Sequence, residues 1–142
     1  VDAEPQDDMN TIDRLAGSFT GSGTWHDAVG KSAAYTIQQA NQETGDGFDV
    51  AFKHNFQDGT VVDARVTMTW IAPGIFRVDV AGTPVGNGYV FDGYCHYHMK
   101  LGEKFVEASY RSTDAGLEVF GSSTTNAEGH YIAWKERLRR TA

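Results

Sequence analysis

From residue 17 to residue 140 the chain alternates apolar and polar side chains in short runs broken by glycine-bearing turns. A period of two marks strands with one dry face and one wet face. Phe48, Val50, Phe52, His54 and Phe56 share one parity, opposite Asp49, Lys53 and Asn55. Val62, Ala64, Val66, Met68 and Trp70 oppose Asp63, Arg65 and Thr67, and Phe76, Val78 and Val80 oppose Arg77 and Asp79. Val106, Ala108 and Tyr110 oppose Glu107 and Arg111. Ile132, Trp134 and Leu138 share the parity of His130, against Lys135, Arg137 and Arg139. The run 88–101 reads as a single strand. Its apolar side carries Phe91, Cys95, Tyr97, Met99 and Leu101, and its polar side Asp92, Tyr94, His96, His98 and Lys100.

Turn residues set the boundaries. Gly30, the triplet Gly45, Asp46 and Gly47, the pair Asp58 and Gly59, and Pro73 with Gly74 each separate two runs. Gly102 with Glu103, the triplet 114–116 and the stretch 126–129 do the same further on. The predicted strands are 17–26, 31–42, 48–56, 60–71, 75–81, 88–101, 104–112, 117–124 and 130–139, with 82–88 as a loop. Ahead of them, Asn10 as a cap with Ile12 and Leu15 apolar predicts a short helix. Residues 1–9, rich in Asp and Glu and bearing Pro5, read as a loose acidic arm, and 10–142 as a single domain. No predicted helix is long enough for a parallel crossover, so sequential hairpins imply an antiparallel meander. Closing about 8–10 strands removes exposed edges and can enclose a small ligand. The expected fold is therefore all-β: an antiparallel up-and-down barrel with a short N-terminal helix.

Composition narrows the partners. With 142 residues and a net charge of −7, the chain lacks the basic surface of a general nucleic-acid binder. Lys135, Arg137, Arg139 and Arg140 alternate with Glu136 and Leu138, and read as a solvated strand face. No apolar stretch approaches the ~20 residues of a membrane helix, which argues against insertion. Cys95 is the single cysteine, so an intrachain disulfide is excluded, and a cytoplasmic location is favoured over a periplasmic one.

Parity also sorts the candidate chemistry. His96 and His98 have the spacing of a strand-borne metal pair, but they fall on the polar face, so no metal site is expected. Asp79 and Glu107 are outward as well, which leaves no carboxylate pair inside. His54 stands in an apolar row, where burial would lower its pKa. His26 sits beside Trp25 at a strand end. Cys95 reads as a small core hydrophobe. The inward aromatic set is Trp25, Phe52, Phe76, Tyr97, Tyr110 and Trp134. With His54, these are the expected ligand-binding residues. Gln39, Tyr35 and His130 are further polar groups of inward parity.

The segment Gly17, Ser18, Phe19, Thr20, Gly21, Ser22, Gly23, Thr24, Trp25 puts glycine or an aromatic at every odd position. Entered from a short helix, it resembles the opening of calycin-type barrels: lipocalins, fatty-acid-binding proteins and the haem-binding nitrobindins. Nitrobindin-like chains open on Gly-x-Trp-x-Gly-x-Gly, and Phe19 stands where that tryptophan would be. The hairpin at Asp58 and Gly59, followed by Arg65 and Trp70, also looks like small bacterial lipocalin-like proteins of unassigned function. The resemblance covers 15–140. It implies a ligand-binding barrel and, through the nitrobindins, a haem held by a histidine near the last strand, here His130.

No catalytic residue can be named, for neither a nucleophile elbow nor a zinc-protease helix motif occurs. The expectation is that a small apolar or aromatic molecule is bound inside the barrel without a cofactor. Alternatives are acid–base chemistry of the isomerase or cyclase type through His54, haem binding through His130, and a homodimer formed at an exposed strand edge.

Overall fold

The structure is a computed structural model and describes residues 13–141. The acidic arm expected over 1–9, and the helix start at Asn10 and Ile12, lie outside the described residues. Residues 13–15 form the visible turn of the N-terminal helix. The strands follow as β1 (Gly17–Asp27), β2 (Ser32–Glu43), β3 (Gly47–Phe56), β4 (Val61–Ala72), β5 (Ile75–Val80), β6 (Thr83–Phe91), β7 (Tyr94–Leu101), β8 (Lys104–Ser112), β9 (Gly116–Ser123) and β10 (Ile132–Arg140). Each pairs antiparallel with its sequence neighbours, and β1 closes on β10 to complete an up-and-down barrel. Among the described residues, that closure pairs every strand on both sides.

Turn chemistry behaves as its residues dictate. Gly59 takes a left-handed φ of 90°, and the Asp58 carboxylate accepts from the Thr60 amide at 2.9 Å. Asp92 and Gly93 do the equivalent, with φ of 43° and 78°, the double positive φ of a two-residue hairpin. This corrects the reading of 88–101 as one strand. It is a hairpin, and the expected loop 82–88 is the first part of β6, entered through Ala81 and Gly82 with φ of 51° and 81°.

A two-residue turn pairs Phe91 with Tyr94 and Val90 with Cys95, so parity inverts across it. Gly88 and Val90 point inward before the turn; Cys95, Tyr97 and Met99 do so after it. Phe91 is therefore on the outer wall, 64% exposed, and does not look into the barrel as its parity suggested. The last strand likewise starts at Ile132, which leaves His130 in the β9–β10 loop.

The barrel interior differs sharply between its two ends. At the N-terminal-helix end, Leu15, Phe19, Phe48, Met68, Phe76, Val78, Val90, Leu117 and Leu138 form a filled core. Phe76 meets Phe48 and Trp70 edge-on, at centroid distances of 5.4 and 6.0 Å. The chain entering β1 is fastened over this end. The Asn41 side-chain amide donates to the Leu15 carbonyl at 2.8 Å, and the Arg140 guanidinium donates to the carbonyls of Ala16 and Arg14 while lying over the Phe19 ring. The other end is hollow.

Candidate functional site

The hollow half is a cavity of ≈ 410 Å³, within the range of small-ligand sites. Cross-strand register builds its wall in rungs. One rung runs Tyr35, Gly23, Glu136, Val119, Tyr110 and Cys95 across β2, β1, β10, β9, β8 and β7. The neighbouring rung runs Trp25, Trp134, Gly121, Ala108 and Tyr97. Small residues in these rungs make the room. A Cβ on Gly121 would lie 2.2 Å from the Trp134 indole, so the indole rests directly on that backbone. A Cβ on Gly23 would come within 2.8 Å of both Tyr35 and Glu136.

Three titratable groups meet inside. The Tyr35 hydroxyl donates to Glu136 Oε2 at 2.8 Å, and His54 Nε2 faces the same oxygen at 3.6 Å. The imidazole is stacked between Tyr35 and Phe52, with centroids at 4.8 and 4.7 Å. Burial pushes the Glu136 carboxyl up to about 7, only partly offset by the hydrogen bond from Tyr35. Burial also pushes His54 down to about 4, which leaves its ring neutral at physiological pH. The Tyr35 phenol is raised, first by burial and then by the Glu136 charge beside it. Across the cavity the Tyr97 and Tyr110 hydroxyls lie 3.4 Å apart, and burial raises both phenols, Tyr97 to about 12. Cys95, also buried, is raised to about 12 and stays a thiol.

Of the residues expected to bind ligand, Trp25, Phe52, His54, Tyr97, Tyr110 and Trp134 all line this cavity. Phe76 does not, because it belongs to the filled end. Tyr35 and Gln39 line the cavity too. Glu136 is the residue that pattern reading missed, although it shares the parity of Trp134 and Leu138. It sits between Lys135 and Arg137, and a run of charges reads as a solvated face.

His130 is half-buried in its loop, with its amide donating to the Asn126 side-chain oxygen at 3.0 Å, and it is not among the cavity-lining residues. His130 thus stands in the loop whose Thr125 and Asn126 border the cavity. On the outer wall, His96 Nδ1 lies 2.9 Å from the Ser109 hydroxyl, and His98 is exposed. Among the described residues, no three His, Cys, Asp or Glu side chains gather as a metal centre requires. No described helix is long and apolar enough to cross a membrane.

The filled end, the hollow end and the closed ten-strand ladder define an antiparallel up-and-down barrel with an interior cavity at one end. No family model matches the chain, and no curated protein matches it in sequence. Solved structures do match in fold. The S-type phycobiliprotein lyase CPES from Guillardia theta superposes with a TM-score of 0.75 at 10% identity, over 98% of this chain and 97% of the lyase. Rv2717c from M. tuberculosis gives 0.65 at 13% identity, over 95% and 98% of the two chains. A protein of unknown function from the DUF3598 family of Nostoc punctiforme also gives 0.65 at 13% identity, over 92% of this chain but 48% of its own length. At these identities the likeness is one of fold.

Proposed function

We propose that this protein binds one small, largely apolar or aromatic molecule in the hollow half of its barrel. The observation that carries the reading is the contrast within a single interior: one end is filled with side chains, while the other encloses ≈ 410 Å³ behind aromatic walls. Trp25, Phe52, Tyr97, Tyr110 and Trp134 supply contact area, and His54, Tyr35 and Glu136 supply a polar edge for orientation.

Titration with the neutral apolar dye Nile red tests this. The expected result is saturable, blue-shifted emission at low-micromolar dye, weakened about tenfold in Trp134→Ala and altered in His54→Leu. Unsaturable emission indifferent to both substitutions would reject it.

The meeting of a carboxyl near neutrality with a neutral imidazole also supports a second reading, acid–base chemistry on the bound molecule. Its mark would be solvent deuterium entering a ligand that co-purifies with the protein, abolished in His54→Ala. A co-purified ligand that takes up no deuterium would leave binding alone.

A further inference from the structure

The ligand reading can be carried to a chemical class. We propose that the cavity selects an apolar or aromatic molecule bearing a basic nitrogen, held by Glu136. This rests on the ligand-binding reading.

The polar edge of the cavity is built to accept hydrogen bonds. Glu136 is 3% exposed and lines the cavity. Its Oε2 takes the Tyr35 hydroxyl, and its Oε1 takes no hydrogen bond from any described residue. Phe52, Trp25 and Trp134 line the same cavity, and aromatic rings attract a cation without offering the carboxylate a charged partner. Among the described residues, the basic side chain within ion-pair distance of Glu136 is His54, its Nε2 3.6 Å from Oε2. His54 is stacked and neutral at physiological pH. Of the lining cations, Lys104 opens β8 while Arg65 is an exposed residue within β4, neither of them on the rung of Glu136. A buried carboxyl without a counter-charge is costly unless its occupant supplies one. A protonated amine does so and also satisfies Oε1 through a charge-assisted hydrogen bond. A carboxylate ligand would face like charge in a low dielectric. The protein's net charge of −7 draws in cations as well.

The groups facing Glu136 are Tyr35 from β2, His54 from β3, Tyr97 from β7 and Tyr110 from β8, with the Cys95 thiol beside the last two phenols. Burial raises the phenols and the thiol and lowers the imidazole. Between about pH 5.5 and pH 8, above the range in which His54 takes its proton, Glu136 is therefore the member of this group that changes charge. An amine preference should accordingly strengthen as pH rises through the carboxyl's range, while the amine itself stays protonated.

Displacement of Nile red by three matched naphthalenes tests the inference: naphthylmethylamine, the neutral isostere ethylnaphthalene, and the anion naphthylacetate. At about pH 8 the amine should displace dye at roughly tenfold lower concentration than ethylnaphthalene, with naphthylacetate weakest. At about pH 5.5 the gap should shrink several-fold. Glu136→Gln should erase the gap between the amine and ethylnaphthalene; Tyr35→Phe, which frees Oε2, should keep it. An amine no better than its neutral isostere, or a preference that survives Glu136→Gln, would overturn the inference while leaving apolar binding intact. If Nile red itself fails to bind, both readings fall.

Discussion

The two ends of this barrel are made from the same strands by the same alternation, yet one is solid and the other hollow. At the solid end the inward positions carry bulk from six of the ten strands: Phe19, Phe48, Met68, Phe76, Leu117 and Leu138, with Leu15 set over them. At the hollow end bulky rings share their rungs with Gly23, Gly121 and Ala108, and the indole of Trp134 lies flat on backbone. Period alone cannot make a cavity. Glycines under rings occur at both ends, Gly88 beneath Phe76 as Gly121 lies beneath Trp134. The cavity is the space that the inward side chains of its own end leave unfilled while the far end holds the fold together.

The contrast breaks most visibly if large aromatics are removed from each end in turn. Phe76→Ala empties a fully buried, edge-packed site and should lose about 3–5 kcal/mol by urea unfolding, with Nile red affinity unchanged in the folded fraction. Trp134→Ala borders space that is already empty and should lose about 1–2 kcal/mol, while dye affinity falls about tenfold. Equal stability losses, or affinity lost on both sides, would dissolve the distinction between the ends.

A subtler effect sits in the hollow half's charges. Glu136 has a folded pKa above its unfolded value, so its favourable contribution is fully present at low pH and is lost as pH rises through about 7. His54 has a folded pKa below its unfolded value, so its contribution is present above its ordinary pKa and is lost as pH falls toward about 4. Between the ordinary carboxylate value of 4.5 and the ordinary imidazole value of 6.5, the unfolded chain keeps the proton on His54 and the folded chain keeps it on Glu136. The two slopes oppose, and wild-type stability should be nearly flat across that window. Glu136→Gln should expose a fall in stability toward acid, and His54→Gln a fall toward alkali, each up to about 1.4 kcal/mol per pH unit. Denaturation curves at a series of pH values check both signs, and matching slopes in the two variants would contradict the trio's arrangement.

The smallest effect belongs outside. Phe91→Ser should shift stability by no more than about 0.5 kcal/mol and leave dye binding untouched, because that ring stands on the outer wall.

How far the sequence reached follows from the same contrast. Alternation identified the barrel and put Trp25, Phe52, His54, Tyr97, Tyr110 and Trp134 on the inward face, because a period-two face is a local property. Depth along the barrel is not local. It depends on strand stagger, so Phe76 looked equivalent to Phe52 although the register sends them to opposite ends. Phe91 was misread because parity was carried straight through a two-residue turn, although Asp92 and Gly93 repeat the Asp-Gly signal of Asp58 and Gly59. Glu136 was legible by parity and hidden by its company. Its basic neighbours on β10 point outward, Lys135 lying 5.9 Å over the Phe120 ring and Arg137 3.6 Å from Glu118, while Glu136 alone turns in.

The account stands or falls on whether the hollow half is the place a ligand goes. The most direct measurement is a Nile red titration of the wild type beside Ala108→Phe, which puts a ring into the cavity on the rung shared by Gly121 and Trp134. The expected result is one-site binding to the wild type and none to the variant, which still unfolds cooperatively at a similar temperature. Undiminished binding to a folded Ala108→Phe would place the dye elsewhere and contradict the claim.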